Sequence, residues 1–232
     1  MAQGRPVVAL DGLKVERQNL AQQAAVRLRE AIIAGDFAPD TRLREVDLAG
    51  RLSVSRGTLR TALTQLESEG FVACERYSAW RVATLGRYEI WESYTLRAAL
   101  ESMAARLTAE QVDAAIRADL RRHLADLSNA KRPSARMKKD LALHLAIVRH
   151  AKHTQLLQVY ERTLNRFRWI YAVSEARVPE RIDLFDWHDP LVDAICAGDA
   201  DRAAQIAHEM IMASMAEDLA QVAGPDDAEK SA

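Results

Sequence analysis

Residues 53–70 read SVSRGTLRTALTQLESEG, a run that two small polar residues, Ser53 and Ser55, open and Gly70 closes. Ser55 suits an N-cap, because its hydroxyl can accept a hydrogen bond from an unpaired amide of a first helical turn, and Gly70 suits a helix stop. Between them Leu59, Leu63 and Leu66 recur at steps of three and four, so the spacing predicts a helix over 55–69 with one buried stripe. Its first turn and a half is of another kind, holding Ser55, Arg56, Thr58 and Arg60. Such a start suits a helix that enters the DNA major groove, where arginine forks onto the O6 and N7 acceptors of guanine and hydroxyls reach phosphates or bases.

The flanks fit that reading. Upstream, the stripe of Ala24 or Ala25, Leu28 and Ile32 predicts a helix over 19–34, stopped by Gly35 and Pro39, and a second helix is expected over 43–52. Downstream, residues 71–74 and 80–83 have extended character around a turn at 75–79. Three helices followed by a hairpin is the layout of a winged helix-turn-helix. From Arg42 to Arg60 there are five arginines (Arg42, Arg44, Arg51, Arg56, Arg60) against Glu45 and Asp47, a local basic patch. A charged helical face is ordinarily just solvated surface; what argues otherwise is that these arginines crowd the start of one helix ahead of a wing. Arg76 and Arg81 in the hairpin are candidates for phosphate or minor-groove contacts, with Tyr77 a weaker one, and Trp80 is expected to pack beneath the wing.

Beyond residue 85 the texture changes. No glycine occurs from Arg87 to Ala197, and apolar residues recur at helical steps, as in Val112, Ile116, Leu120, Leu124 and Leu127. Six helices are expected, the later ones over 134–151, 155–174, 180–197 and 200–222. Asp140 and His144, four apart, share a helix face with Met137 and Ile147, and His188 opens a stripe with Leu191, Val192 and Ile195. A carboxylate and imidazoles converging inside a bundle can hold a divalent ion such as zinc, nickel or manganese. On spacing alone, such residues are more often an i,i+4 ion pair and a satisfied buried histidine.

Leu28 to Ile32, Gly35, Pro39, Leu43, Glu45, Leu48-Ala49, Val54-Ser55-Arg56, Leu59-Arg60, Ala62-Leu63, Leu66-Glu67, Glu69-Gly70 and Val82 resemble the DNA-binding domain of the GntR family. Tyr94, Leu96-Arg97 and Leu100-Glu101, with Asp140, His144 and His188, resemble the all-helical effector domain of its FadR/FCD subfamily, and six helices resemble the VanR-like branch. Three positions depart from the family pattern: Gly57-Thr58 stands for Thr-Pro, Thr61 for glutamate, and Ala79 for the wing glycine. The resemblance implies a ligand-responsive transcription factor, a repressor by default. It would bind an inverted-repeat operator in double-stranded DNA as a homodimer and respond to a small organic acid. It implies Arg97 as a carboxylate clamp, for which an intrahelical pair with Glu101 is the alternative, and leaves Arg166, Arg168 and Trp169 as lesser candidates for the same cavity, with surface or core the favoured reading of the three. It also implies a third histidine 22 positions after His188, where this chain has Met210. His208 is about 200° round the helix from that position and is expected to point elsewhere. Either Asp140, His144 and His188 hold metal with water as a weaker three-ligand site, or the pocket takes its effector without metal.

Length and charge agree with this division. The 232 residues carry 32 Lys and Arg against 33 Asp and Glu, but residues 1–85 are slightly basic and residues 86–232 slightly acidic. The fold class expected is mainly α. A flexible arm over 1–18 leads into a winged helix-turn-helix over 19–85, then an all-helical effector-binding and dimerisation domain over 86–222 and a flexible tail over 223–232. Two cysteines, Cys74 and Cys196, supply neither a disulfide framework nor a cysteine zinc site. No apolar run or leader-like segment suggests a membrane partner or export, so the chain is expected in the cytoplasm. Two other classes compete. A metal-dependent enzyme using Asp140, His144 and His188 would leave the winged unit unexplained, and a helical scaffold would leave Ser55 to Arg60 unexplained.

Overall fold

A computed structural model of the chain describes residues 20–75, 79–177 and 188–222. The expected arm and tail, and Arg76 and Tyr77 at the wing tip, lie outside the described residues.

The N-terminal unit comprises α1 (Leu20–Ile33), β1 (Arg42–Leu43), α2 (Glu45–Leu52), α3 (Arg56–Ser68), β2 (Val72–Glu75) and β3 (Ala79–Val82). Leu59, Leu63 and Leu66 on α3 are fully buried and face α1, whose own stripe of Ala21, Ala24, Ala25, Leu28 and Ile32 is buried with them. Ser53, in the left-handed region at φ 54°, closes α2, and Ser55 caps α3 by accepting from the Thr58 amide at 3.1 Å. Gly70 turns the chain from α3 into β2 at φ +74°, with the Phe71 amide donating back to the Leu66 carbonyl at 2.9 Å. Only glycine adopts that backbone without strain, and a β-carbon would also meet the Arg166 guanidinium. Gly70→Ala should therefore lower stability by about 1–2 kcal/mol in urea unfolding; an unchanged midpoint would contradict this account.

Two of the three strands are the expected hairpin. The sheet order is β1-β3-β2, antiparallel throughout, with Leu43 opposite Trp80 and Val72 opposite Val82. Trp80 and Val82 alternate inward on β3, so Trp80 does lie beneath the wing. The helix expected from Leu43 begins instead at Glu45. Leu43 pairs with the open edge of β3, and the ladder extends through Val82 N to Thr41 O at 3.0 Å, so tertiary pairing overrides the local helical pattern.

The second unit has the expected six helices among the described residues: α4 (Arg87–Glu110), α5 (Ala114–Ser128), α6 (Pro133–His150), α7 (Thr154–Arg177), α8 (His188–Ala197) and α9 (Ala200–Gln221). Asp113 caps α5 through the Ile116 amide at 2.7 Å, and Asp199 caps α9 through the Arg202 amide at 3.0 Å. The 24-residue α4 packs against α6, α7, α8 and α9, which puts its inward side chains at the centre of the bundle. None of the described helices is long and apolar enough to cross a membrane.

One buried core runs through both units. Phe71 stacks on Trp169 with centroids 5.1 Å apart, Arg166 Nη1 donates to the Gly70 carbonyl, and Arg168 forks onto both Glu30 oxygens at 2.9 Å. Arg166, Arg168 and Trp169 thus join α7 to the N-terminal unit, and none of the three lines the small cavity beside Arg97. Residues on α7 advance about 100° each, so Phe167 and Ile170 take the cavity side while Arg166 and Trp169 turn to the junction.

Candidate functional site

Arg42, Arg44, Arg56 and Arg60 line one shallow groove of about 270 Å³, beside the capped start of α3. The arginine side chains at 56 and 60 are 65% and 59% exposed, so a partner could reach them. The two hydroxyls predicted beside them have local roles: Ser55 Oγ serves the Thr58 amide and lies 2.8 Å from Thr58 Oγ1. Arg81, in the central strand, is held by Asp40 at 3.4 Å and Glu75 at 3.2 Å, and meets phosphate only by exchanging those partners. The structure therefore brings four predicted residues to one face, sets Ser55 and Thr58 at its edge, and leaves Arg76 outside the described residues.

The second site is internal. Asp140 and His144 on α6 meet His188 at the start of α8, all three buried, with potential ligand atoms within 4.8 Å of one another. His188 Nε2 lies 2.9 Å from Asp140 Oδ1, and His144 Nε2 lies 3.6 Å from the same oxygen and 3.3 Å from His188 Nε2. The Nδ1 edge of His144 turns to Glu101 Oε2 at 2.5 Å. A carboxylate on one imidazole nitrogen fixes the ring and directs the other toward a metal, which is how histidine ligands are ordinarily supported. The donor set, one carboxylate oxygen and two imidazole nitrogens, suits a borderline divalent ion. Met210 is buried on α9 and His208 is exposed, so His208 does point away.

Glu101 and Tyr160 are the members that sequence reasoning missed. Glu101, 3% exposed, accepts from Arg97 Nε at 2.7 Å and from the Tyr160 hydroxyl at 2.9 Å as well as meeting His144. Arg97 is thus in the intrahelical pair named as its alternative, and its guanidinium also lies over the Phe167 ring at 5.6 Å. The sequence signals for Glu101 were its i,i+4 spacing from Arg97 and its place in the Leu100-Glu101 pair that resembles the effector domain, and neither disclosed its contact with His144. Beside Arg97 is a cavity of about 10 Å³, enough for about one water, lined by Tyr94, Leu141, Phe167, Ile170 and Tyr171.

Charge in this cluster is balanced internally. Burial works against the charge on His144, but Glu101 and Asp140 outweigh it and raise the group from 6.5 to about 9. Burial likewise opposes the Glu101 carboxylate, and Arg97 with His144 overcomes it, bringing it from 4.5 to about 2. Asp140 is held well below its ordinary value despite burial, by His144 and His188. The raised group contributes stability fully below 6.5 that is lost as pH rises toward 9; the lowered one contributes above 4.5 and is lost as pH falls toward 2. With a chelator present, urea midpoints should plateau between pH 4.5 and 6.5 and decline on both sides. His144→Gln should flatten the alkaline decline, and an unaltered decline would show that another group causes it.

Comparison with known proteins matches residues 20–82 to the bacterial regulatory proteins, gntR family, and residues 92–213 to the FCD domain. The chain is 31% identical over 201 residues to the HTH-type transcriptional repressor GlaR of Escherichia coli, covering 80% of this chain and 89% of that protein. It is 29% identical to the gluconate operon transcriptional repressor of Bacillus licheniformis, over 84% of this chain and 83% of that one. Among solved structures it resembles E. coli McbR/YncC, with a TM-score of 0.71, 22% identity and coverage of 88% of this chain and 99% of that chain. A GntR regulator from Rhodococcus sp. RHA1 has a TM-score of 0.69 at 23% identity, covering 86% and 97%.

Proposed function

The chain belongs to the GntR family of bacterial regulatory proteins and carries an FCD domain; from that premise we propose that it is a cytoplasmic repressor whose hold on its operator is set by a ligand in the helical bundle. Family membership makes it a DNA-binding transcriptional regulator, and the relatives reported above are named as transcriptional repressors rather than enzymes. Two copies would each place the start of α3 in the major groove of one half of an inverted repeat, since protein two-fold symmetry is mirrored in such operators. Arg56 and Arg60 read bases, while Arg42, Arg44, Arg76 and Arg81 hold phosphates, with Ser55 and Thr58 at the groove edge. The observation that carries this reading is the exposed arginine groove at the capped start of α3.

In the bundle, Asp140, His144 and His188 would hold a divalent ion, with zinc, nickel and manganese the candidates. When bound, such an ion would supply positive charge that favours an anionic ligand. A small organic acid would pair with the Arg97 guanidinium, drawing Arg97 from Glu101. The cavity of about 10 Å³ means an acid enters only as α4, α6 and α7 move apart. Helix α7 carries Tyr160 at one end of this network and Arg166, Arg168 and Trp169 at the junction, so its shift reaches Gly70 and Glu30. A coupling of about 1–3 kcal/mol between ligand and DNA is the expected scale. The small cavity also favours a second reading, in which the metal ion alone is the effector.

Gel-shift titration tests the proposal, using duplexes that the full-length chain selects from a randomised pool. Salt-sensitive, sequence-selective binding is expected, weakened by zinc alone in the second reading and only by zinc with a dicarboxylate in the first. Absence of selective binding would refute the regulator's proposed DNA face. Calorimetry with zinc tests the metal site: Met210→His should tighten binding, and no gain would place Met210 away from it.

A further inference from the structure

Glu45 stands where three DNA-facing elements meet. It is the first residue of α2, and its side chain, 11% exposed, reaches α3 and β3 together. Both its oxygens accept from Arg60 Nε, at 2.8 and 2.9 Å. Arg56 Nη2 lies 3.7 Å from Oε2, and the Trp80 indole donates to Oε1 at 3.2 Å. This one carboxylate therefore touches both arginines assigned to base reading and the tryptophan under the wing.

A carboxylate is out of place in a groove meant for a polyanion. It subtracts charge from Arg42, Arg44, Arg56 and Arg60, and it faces the phosphates of any bound duplex. A residue serving affinity alone would not be acidic here. Its geometry suggests what is gained. The contact uses the Nε edge of Arg60, which leaves the Nη edge of the same plane to fork onto a base. Long arginine side chains lose much rotamer freedom on binding, and a side chain already aimed loses less. Arg60 hydrogen-bonded to it, more than Trp80 and the charges of Arg56 and Arg60, keeps the Glu45 carboxyl below its ordinary value despite some desolvation, so it is charged at neutral pH.

We propose that Glu45 is a positioning residue for DNA specificity: it aims Arg56 and Arg60 at base edges and repels duplexes that offer them only phosphate. It rests on the assignment of those arginines to base reading made above. Glu45 thus weakens binding to all DNA and weakens binding to the wrong DNA more, which is discrimination by a repulsive element.

The test uses the full-length chain, the duplex it selects from a randomised pool, and a scrambled duplex of the same composition. Glu45→Gln keeps the shape and one acceptor oxygen but removes the charge. It should bind the scrambled duplex several-fold more tightly and lower the selected-to-scrambled ratio by about tenfold, the scale of one arginine–base contact. The salt slope on scrambled DNA should steepen by about one unit, as for one added phosphate contact. An unchanged ratio, or equal losses on both duplexes with an earlier melt, would overturn the proposal in favour of a purely structural bridge. Should Glu45→Gln melt early, Glu45→Asp retains the charge while retracting the carboxylate, and the ratio should fall without tighter scrambled binding; an unchanged ratio overturns the proposal there too. If the wild-type chain selects no duplex, the base-reading assignment fails instead, a result distinct from either outcome.

Discussion

Glu101→Ala should lose about 3–5 kcal/mol of folding stability, the cost of removing one partner from a buried ionic cluster. The reasoning is of desolvation rather than attraction. Glu101 is 3% exposed and Arg97 9%, so once the carboxylate is gone the guanidinium has at most the small cavity beside it from which to draw water. His144 loses the charge at its Nδ1 edge and Tyr160 loses the acceptor for its hydroxyl. Exposed pairs such as Arg121 with Asp193 contribute at most about 1 kcal/mol, because solvent replaces either partner. Urea unfolding measures the loss, and a change under about 1 kcal/mol would mean that the cluster is solvated in solution. Glu101→Gln should cost less, since an amide oxygen can still accept from Tyr160.

Arg56→Ala should cost about 1–3 kcal/mol of operator affinity, the discrimination carried by one bidentate arginine–guanine contact. Its side chain is 65% exposed and its nearest acidic contact, Glu45, is at 3.7 Å, so stability should move by no more than about 0.5 kcal/mol. Loss of DNA binding therefore cannot be put down to unfolding. On scrambled DNA the variant should lose only one charge's worth of non-specific attraction. Equal losses on operator and scrambled duplexes would refute base reading by Arg56.

The winged unit was legible because its signals are local. Ser55 caps the helix that it precedes, Leu59, Leu63 and Leu66 bury together because they share a face, and Trp80 alternates inward with Val82. Asp140 and His144 were legible for the same reason, and His188 from the stripe it opens. Contacts that depend on how helices pack were not. The meeting of Glu101 with His144 requires α4 to lie against α6 in one register, and the hydroxyl of Tyr160 comes from a third helix, α7. Strand β1 is only two residues long, too short for a period-two pattern, and exists because β3 offers an edge. Arg166 and Trp169, read as surface or core before cavity lining, could not be placed at the junction from sequence, since an apolar-and-arginine helix does not disclose which of its faces meets the winged unit.

The stack of Phe71 on Trp169, flanked by Glu30 with Arg168 and by the Gly70 carbonyl with Arg166, has a bearing on how such proteins can be recombined. A reader head transplanted from another regulator onto this bundle inherits a socket cut for an aromatic ring and an acid at fixed places. A hybrid keeping both should melt in one step. One lacking them should come apart in two, with the head released first and its DNA grip no longer answering to the ligand.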